Sequence, residues 1–340
     1  MAFKMKSFNK IKNLWLKGYS YSSQKVISPA IPMVQNVEAT NSCTMNCKMC
    51  PRQYMKRKIG FIELELFEKI VKQLKGNTRL ALHHFGDPLL HPKIGELIKI
   101  CHKYGVKASL STNPQILNEK KSRELIDAGL DYLHLSLDGA SKKTYEKIRG
   151  GNANYEKALE GIEIFLRLKD EKKSKLPYTK IAMIRMKETE NEIGLFKKKW
   201  KGRKGIDEVQ IKEFITWDGT MEDINDLEKE ASHKVKRGGD YPCYWPWGKL
   251  TVLWDGRVVA CCFDSDAKCV LGDLKKESLK EIWNGKTMKE FREMHIKNNF
   301  PKEHLCYKCK EREGFKPSKI FPLNLILEKR LNWLNYYKSN

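Results

Sequence analysis

Two absences set the terms for this chain. No stretch of its 340 residues approaches the ~18 to 20 consecutive apolar residues of a membrane span. The N-terminal segment MAFKMKSFNKIKNLWLKGYS is interrupted by Lys and Asn every few residues and lacks the apolar centre of an export signal. Disulfides belong to exported proteins, so a cytoplasmic chain with reduced thiols is expected. There is no arginine-rich tract and no finger-type Cys/His spacing, which speaks against specific nucleic-acid recognition. Acidic residues are scarce, 42 Asp and Glu against 65 Lys and Arg. The resulting formal charge of +23 suits phosphates, anionic lipid surfaces or an acidic partner without choosing among them. No internal repeat of fixed period is visible.

Cysteine, by contrast, is abundant. Ten cysteines form a tight group, Cys43, Cys47 and Cys50, and a spread group from Cys243 to Cys309, with Cys101 between. In a reducing setting such spacing points to metal ligands. With 41% hydrophobic residues the chain can bury one large core and a smaller one.

From 32 to about 214, short β-branched and aliphatic runs alternate with longer helical patterns, the rhythm of β/α units around a parallel sheet. Strands are expected at 34–39, 79–84, 107–112, 132–137, 180–186 and 209–213, and helices at 63–74, 94–104, 119–128, 155–168 and 190–199. Six units are too few for the closed eight-unit barrel, so the α/β fold expected over 32–216 is a partial (β/α)6 TIM-like barrel. Ligands in such sheets gather at the carboxyl ends of the strands. A basic extension (1–31) precedes the barrel, and a polar linker or lid (217–240) follows it. A small C-terminal α+β domain (241–316) comes next, with a hairpin about Trp254-Asp255-Gly256-Arg257 and helices near 278–283 and 287–295. An amphipathic helix is expected at 317–340. Both terminal segments place apolar residues beside basic ones at helical spacing, Phe8, Ile11 and Trp15 in one, Leu323, Leu327, Leu331 and Leu334 in the other. They are candidates for peripheral membrane contact or for packing on the protein's own core.

Cys43, Cys47 and Cys50 form a C-x3-C-x2-C loop directly after the first expected strand. Three thiolates can hold three of the four irons of a cubane. A structural zinc site recruits a fourth ligand, yet neither the loop nor the residues up to Ile70 offer another Cys or His. The pattern argues for a cluster that binds something at its free iron. It resembles the radical S-adenosylmethionine (SAM) superfamily. That resemblance implies a [4Fe–4S] cluster on these three cysteines, whose open iron chelates SAM and cleaves it reductively to a 5′-deoxyadenosyl radical that abstracts hydrogen from a substrate. Phe85-Gly86-Asp87-Pro88 stands where the family has a Gly-Gly-Glu stretch for the cofactor's amino group. By the same resemblance Gly86 and Asp87 serve that group, through backbone carbonyls where the shorter Asp does not reach. Ser111, Asn113, Ser136 and Asp138 serve the ribose and methionyl ends, Arg149 the carboxylate, and Met49 the adenine.

In the second group, Cys243, Cys261, Cys306 and Cys309 supply four thiolates from a hairpin and a distant loop. With Trp254-Asp255-Gly256, Leu271-Gly272-Asp273 and Glu281-Ile282-Trp283-Asn284, they resemble the SPASM extension in its truncated Twitch form. The resemblance implies one auxiliary [4Fe–4S] cluster with four Cys ligands and makes this a small α+β iron–sulfur domain. Cys262 is the alternative to Cys261, and zinc suits four cysteines equally well on spacing alone. A dehydrogenase branch acting on aminocyclitols has a comparable extra cluster, which makes substrate oxidation, with that cluster as electron acceptor, the expected outcome. Epimerisation, peptide maturation and, in another class, a non-catalytic zinc or iron–sulfur scaffold are the alternatives. Epimerisation needs a thiol donor, for which Cys262, Cys269 and Cys101 are candidates. Lys212 and Arg185 are candidates to receive an anionic substrate, and flavodoxin or ferredoxin is the expected kind of reductant.

Overall fold

The computed structural model describes residues 2–74, 79–229 and 241–312. The helix expected at 317–340 and the end of the expected linker lie outside these residues.

Six parallel strands run in sequence order: β1 (Met33–Val37), β2 (Arg79–Ala81), β3 (Lys107–Thr112), β4 (Tyr132–Ser136), β5 (Tyr178–Ile184) and β6 (Glu208–Lys212). Helices α1 (Ala2–Ser22), α2 (Leu64–Val71), α3 (Ile94–Lys103), α4 (Glu119–Asp127), α5 (Lys142–Arg149), α6 (Tyr155–Glu171) and α7 (Ile193–Trp200) precede or connect them. This is the partial α/β barrel expected from the strand rhythm. The helices form where sequence periodicity and caps agree. In α3, Ile94, Leu97, Ile98 and Cys101 recur at helical spacing and are all buried. The side chains of Asn118, Ser141 and Asn154 each accept an N–H in the first turn of α4, α5 and α6.

The two faces of the sheet differ. Leu80, Leu82, Ala108, Leu110, Leu133, Leu135, Ile181 and Met183 are buried in one hydrophobic cluster with Phe67, Leu97, Leu125, Ile162 and Phe165 from the helices. Each large apolar side chain so buried contributes about 1.5–3 kcal/mol. The alternate residues point inward and include the polar Ser109, Ser111, His134, Ser136, Lys180, Gln210 and Lys212 beside the apolar Ala81, Ala182 and Ile184. Ser111 lies opposite His134, His134 opposite Lys180, Lys180 opposite Glu208, and Ile184 opposite Lys212.

The sheet does not stop at β1. After α8 (Glu222–Lys229) and the short α9 (Trp245–Gly248), β7 (Lys249–Val252) pairs in parallel with β1, and β8 (Arg257–Val259) and β9 (Val270–Asp273) extend it antiparallel. Helices α10 (Leu279–Trp283) and α11 (Lys286–Lys297) follow. Ser278 and Glu281 form a full capping box on α10. The C-terminal region thus shares a nine-stranded sheet with the barrel. The N-terminal segment is built onto it as well. Tyr21 donates to Pro242 O (2.7 Å), Trp247 to Lys25 O (2.7 Å) and the buried Arg292 to Val26 O (2.7 Å). Ile11, Trp15 and Tyr19 of α1 stay exposed. Among the described residues no helix is long and apolar enough to cross a membrane.

One buried ion pair fastens the seam. Arg57 grips Glu38 with two hydrogen bonds (2.6 and 2.7 Å) and donates through Nε to Ser265 O (2.6 Å), while Asp266 accepts the N–H groups of Lys56 and Arg57. Burial pushes the Glu38 carboxyl up, but Arg57 and nearby His84 outweigh it and hold it down at about 2 against an ordinary 4.5. A depressed carboxyl contributes stability that is complete above pH 4.5 and is lost as the pH falls toward 2, roughly 3 kcal/mol in all. Glu38→Gln should therefore unfold more easily than the native chain at pH 7, by about 3–5 kcal/mol because Arg57 loses its partner. Thermal unfolding followed from pH 7 to pH 2 should show that difference shrink below pH 4.5.

Candidate active site

The loop after β1 is shaped before any ligand binds. Thr40 donates to Gly60 O (2.6 Å), Asn41 to Lys58 O (2.9 Å), and Arg52 Nε reaches back to Asn41 O (3.0 Å). Lys48 N–H donates to Ile148 O (3.0 Å), and Cys50 N–H to Cys47 O (2.9 Å). Within this frame Cys43, Cys47 and Cys50 lie in electrostatic reach of one another. Burial, aided by Asp87, pushes the Cys43 thiol up to about 11, and burial, aided by Cys47, pushes Cys50 up to about 12. Thiols held this way do not ionise alone, and a metal core takes them by displacing their protons.

The expected cofactor residues surround this loop at the carboxyl ends of β2, β3 and β4. A Cβ at Gly86 would stand 2.3 Å from Thr40 O and 2.6 Å from Asn41 Cα, so only glycine lets the two loops touch. Asp87 spends its carboxylate on the chain itself. It accepts from Leu89 N (3.1 Å), Asn113 N (2.8 Å) and the Thr112 hydroxyl (2.7 and 2.8 Å), which fixes it to the turns after β2 and β3. Asn113 Oδ1 caps the turn at Gln115 N, while its Nδ2 is buried without a partner. Ser111 and Ser136 hydroxyls meet at 3.2 Å. Asp138 accepts Ile184 N–H (2.8 Å) and pairs with Arg149 (2.7 Å). Arg149 also donates to Ser136 O (2.6 Å) and to the Cys47 sulfur (3.6 Å), with its buried Nε unpartnered. Burial opposes its charge, but Asp138 and Cys47 reverse the balance and keep it protonated.

The donor set fits a site-differentiated cluster. Three thiols lie within reach of one another, the neighbouring carboxylate is held by chain donors, and a guanidinium points at one sulfur, where it stabilises thiolate charge. Among the described residues no three metal-binding side chains close to the distances of a single ion, so the chemistry of the donors is what points to a larger group.

The second group also assembles. Cys243 lies in reach of Cys309 and Cys262, Cys261 of Cys262 and Cys243, and Cys306 of Cys243, Cys309 and Cys269. Burial pushes Cys243 up to about 12 and Cys309 up to about 11. Cys261, hydrogen-bonded to the Cys262 thiol, and the buried Cys306 are also raised. Phe263 N–H donates to Cys261 Sγ (3.3 Å), and His295 Nε2 lies 3.6 Å from Cys306 Sγ. Six thiols linked in this way, with Lys249 and Arg312 close enough to favour their ionised forms, suit a multi-iron core. Cys261 and Cys262 both stand at its edge. Cys269 does too, whereas Cys101 is sealed in the core on α3, away from both groups.

The inner face of the sheet adds residues that sequence reasoning passed over. Gln210 is 1% exposed with both amide atoms unpartnered, and His134 Nε2 is likewise buried without a partner. Burial, with Lys212 and Lys180 nearby, holds His134 neutral, well below the usual imidazole range. Lys212, on the same face at the carboxyl end of β6, is drawn down to about 8 by burial against the pull of Asp138. Arg185 differs from the expectation of a free cation, since it pairs with Glu190 (2.8 Å) and Glu213 (3.4 Å). Trp217, read as the start of a linker, sits between the two thiol groups. Its indole N–H donates to Met49 O (2.8 Å), and its carbonyl oxygen is 3.8 Å from Cys309 Sγ. Its φ of +56° is a left-handed conformation that costs a bulky residue about 1–3 kcal/mol. No periodicity or motif marks such a residue in a sequence.

Residues 37–195 match the family model of the radical SAM superfamily, and residues 243–310 match that of an iron–sulfur cluster-binding domain, SPASM. The chain is similar to the tungsten-containing aldehyde ferredoxin oxidoreductase cofactor-modifying protein of Pyrococcus furiosus, 22% identical over 317 residues, 82% of this chain and 87% of that one. It is also similar to the S-adenosyl-L-methionine-dependent 2-deoxy-scyllo-inosamine dehydrogenase of Niallia circulans, 22% identical over 279 residues, 80% and 90% of the two chains. The solved structure of anSMEcpe with bound AdoMet has the same fold, with a TM-score of 0.59 at 18% identity over 90% of this chain and 93% of that one. These domains imply a SAM-binding 4Fe–4S cluster and an auxiliary cluster. With both domain matches and both thiol groups in place, the chain belongs to the radical SAM superfamily, as an enzyme with a C-terminal SPASM-type iron–sulfur domain.

Proposed function

We propose that Cys43, Cys47 and Cys50 hold the SAM-binding cluster, that Cys243, Cys261, Cys306 and Cys309 hold the auxiliary cluster, and that the enzyme oxidises a small substrate bearing an anionic group. The observation that carries the ligand assignment is the state of Asp87. With both oxygens engaged by chain donors, the carboxylate beside Cys43 is tied to the chain at the turn, and the three thiols are taken as the whole protein donor set, with the site open for SAM. When bound, the clusters and SAM supply one-electron chemistry, namely a carbon radical that takes hydrogen from the substrate and an acceptor for the electron the substrate then gives up.

The chain's own residues do the rest. Arg149, fixed by Asp138 and Ser136 O, holds positive charge against Cys47 and offers its free Nε to the SAM carboxylate. Ser111, Ser136 and Asn113 Nδ2 present polar atoms at the same strand ends. Lys212, which forms no ion pair among the described residues and feels Asp138 only through space, lies beside the unpartnered Gln210 amide and His134 Nε2 and receives the anionic group of the substrate. Dehydrogenation is supported by the similarity, across most of both chains, to the scyllo-inosamine dehydrogenase.

After anaerobic reconstitution, two cubanes should give about eight irons per chain. Replacing Cys43, Cys47 and Cys50 together by Ala should remove about half of that iron and abolish production of 5′-deoxyadenosine. Retained SAM cleavage in the triple variant would reject the assignment. Cys306→Ala and Cys309→Ala should deplete only the second cluster and lower turnover.

Lys212→Met should leave basal SAM cleavage intact and weaken stimulation by phosphorylated or carboxylated substrates, raising their KM by about 10- to 100-fold. Because the Lys212 ammonium loses its proton as the pH rises through about 8, KM should climb above that pH in the native enzyme. In Lys212→Arg the climb should vanish. Assays of KM against pH with a panel of sugar phosphates and carboxylic acids decide it.

A further inference from the structure

Trp217 touches both cysteine loops. On one side its indole N–H donates to the carbonyl of Met49 (2.8 Å), the peptide that leads directly into Cys50. On the other its carbonyl oxygen lies 3.8 Å from the sulfur of Cys309. From Cys309 Sγ to the backbone of Cys50 the route therefore crosses one through-space contact, one amino acid and one hydrogen bond. The ring lies between Phe85 (centroids 5.2 Å) and Phe263 (5.6 Å). Phe85 precedes Gly86, and Phe263 donates its N–H to Cys261 Sγ, so the aromatic row runs between the same two groups.

The flanking residues hold Trp217 in this position. Asp218, 2% exposed, accepts from the Thr220 N–H and hydroxyl and from Lys268 (3.3 Å). Gly219, at φ +73°, is pressed so closely on the Cys306–Cys309 loop that a Cβ would lie 2.5 Å from Lys308 O. A tryptophan at positive φ persists only where its surroundings over-determine it, and here both surroundings are cysteine loops.

We infer that Trp217 is a positioning residue that sets electron exchange between the two clusters, by fixing their loops against each other and by filling the space between them with bonded and packed atoms. Electrons tunnel more readily through bonds, hydrogen bonds and close-packed rings than through gaps or water. The step is a single electron transfer, in which one cluster is oxidised by one electron and the other reduced by one, with no bond made and no proton moved. The inference rests on the proposed assignment of the two cysteine sets. Its test begins by confirming in the native holoenzyme about eight irons and two distinct electron paramagnetic resonance signals on reduction. Failure at that stage rejects the ligand assignment and not the role of Trp217.

The variants are Trp217→Phe, which keeps a ring and loses the hydrogen bond to Met49, and Trp217→Leu, which loses both. Iron content and the signal of each cluster report whether both sites are intact. The readouts are the mutual spin-relaxation enhancement of the two reduced clusters and the rate of electron equilibration after a flash-reduction pulse. Equilibration should slow by about tenfold or more in Trp217→Leu, the lower end of what loss of an outer-shell partner costs. It should slow less in Trp217→Phe, and relaxation enhancement should fall in the same order. Unchanged equilibration and enhancement in either variant with both clusters loaded would overturn the inference. Should Trp217→Leu fail to load the second cluster, Trp217→Phe alone decides.

Discussion

The pairing of β7 with β1 is the constraint on which the rest depends. A barrel of six strands leaves two open edges, and an open edge exposes unpaired N–H and C=O groups. Here the β1 edge is satisfied by a strand from beyond α8, so the C-terminal region is hydrogen-bonded to the barrel along the line Met33–Val37 against Lys249–Val252. The first cysteine loop leaves β1 and the hairpin of the second group grows from β7. Two sites almost two hundred residues apart in sequence are therefore hung from adjacent strands. Glu38 N–H continues the same ladder to Val252 O (2.9 Å), and the Glu38 carboxylate meets Arg57 just beyond it.

The strands and most barrel helices were legible because each carries a period. Strand 107–112 alternates inward Ser109 and Ser111 with outward Ala108 and Leu110, and α3 repeats its apolar residues at 3 and 4. Helix α5 was not, since KKTYEKIR has few apolar residues and is held by the Ser141 cap and by burial of Tyr145 and Ile148. The cysteines were legible as donors because spacing is local information. Their surroundings were not. Arg57, in the run Lys56-Arg57-Lys58, reads as a solvated surface charge until the fold brings Glu38 to it. Arg185 reads as a free cation until Glu190 and Glu213 close on it. Trp217 depends on two loops from opposite ends of the chain, and no local pattern encodes such an encounter.

The two thiol groups differ in what touches them. A permanent cation, Arg149, stands against Cys47. Against Cys306 stands His295, which burial holds down at about 3 and therefore neutral, walled in by Phe291 and Phe300. The first set of ligands has a guanidinium in direct contact with one sulfur, whereas Lys249 and Arg312 act on Cys243 and Cys306 through space. Two inorganic groups of similar composition placed in such surroundings acquire different affinities for an electron, a difference that a protein passing electrons between them requires.

The polar inner face of the sheet has a consequence for how this enzyme can change over generations. In closed barrels the interior is packed with branched aliphatic side chains in layers, and altering them costs stability. Here the packing that holds the sheet lies on its other side, among Leu133, Leu135, Ile181 and Met183 and the helices, while His134, Lys180, Gln210 and Lys212 face inward. Inner positions such as Gln210, whose side-chain amide makes no hydrogen bond among the described residues, can be exchanged without unpicking the scaffold. Descent with new specificities is then a matter of rewriting a handful of inner residues, with the apparatus that starts the chemistry left untouched.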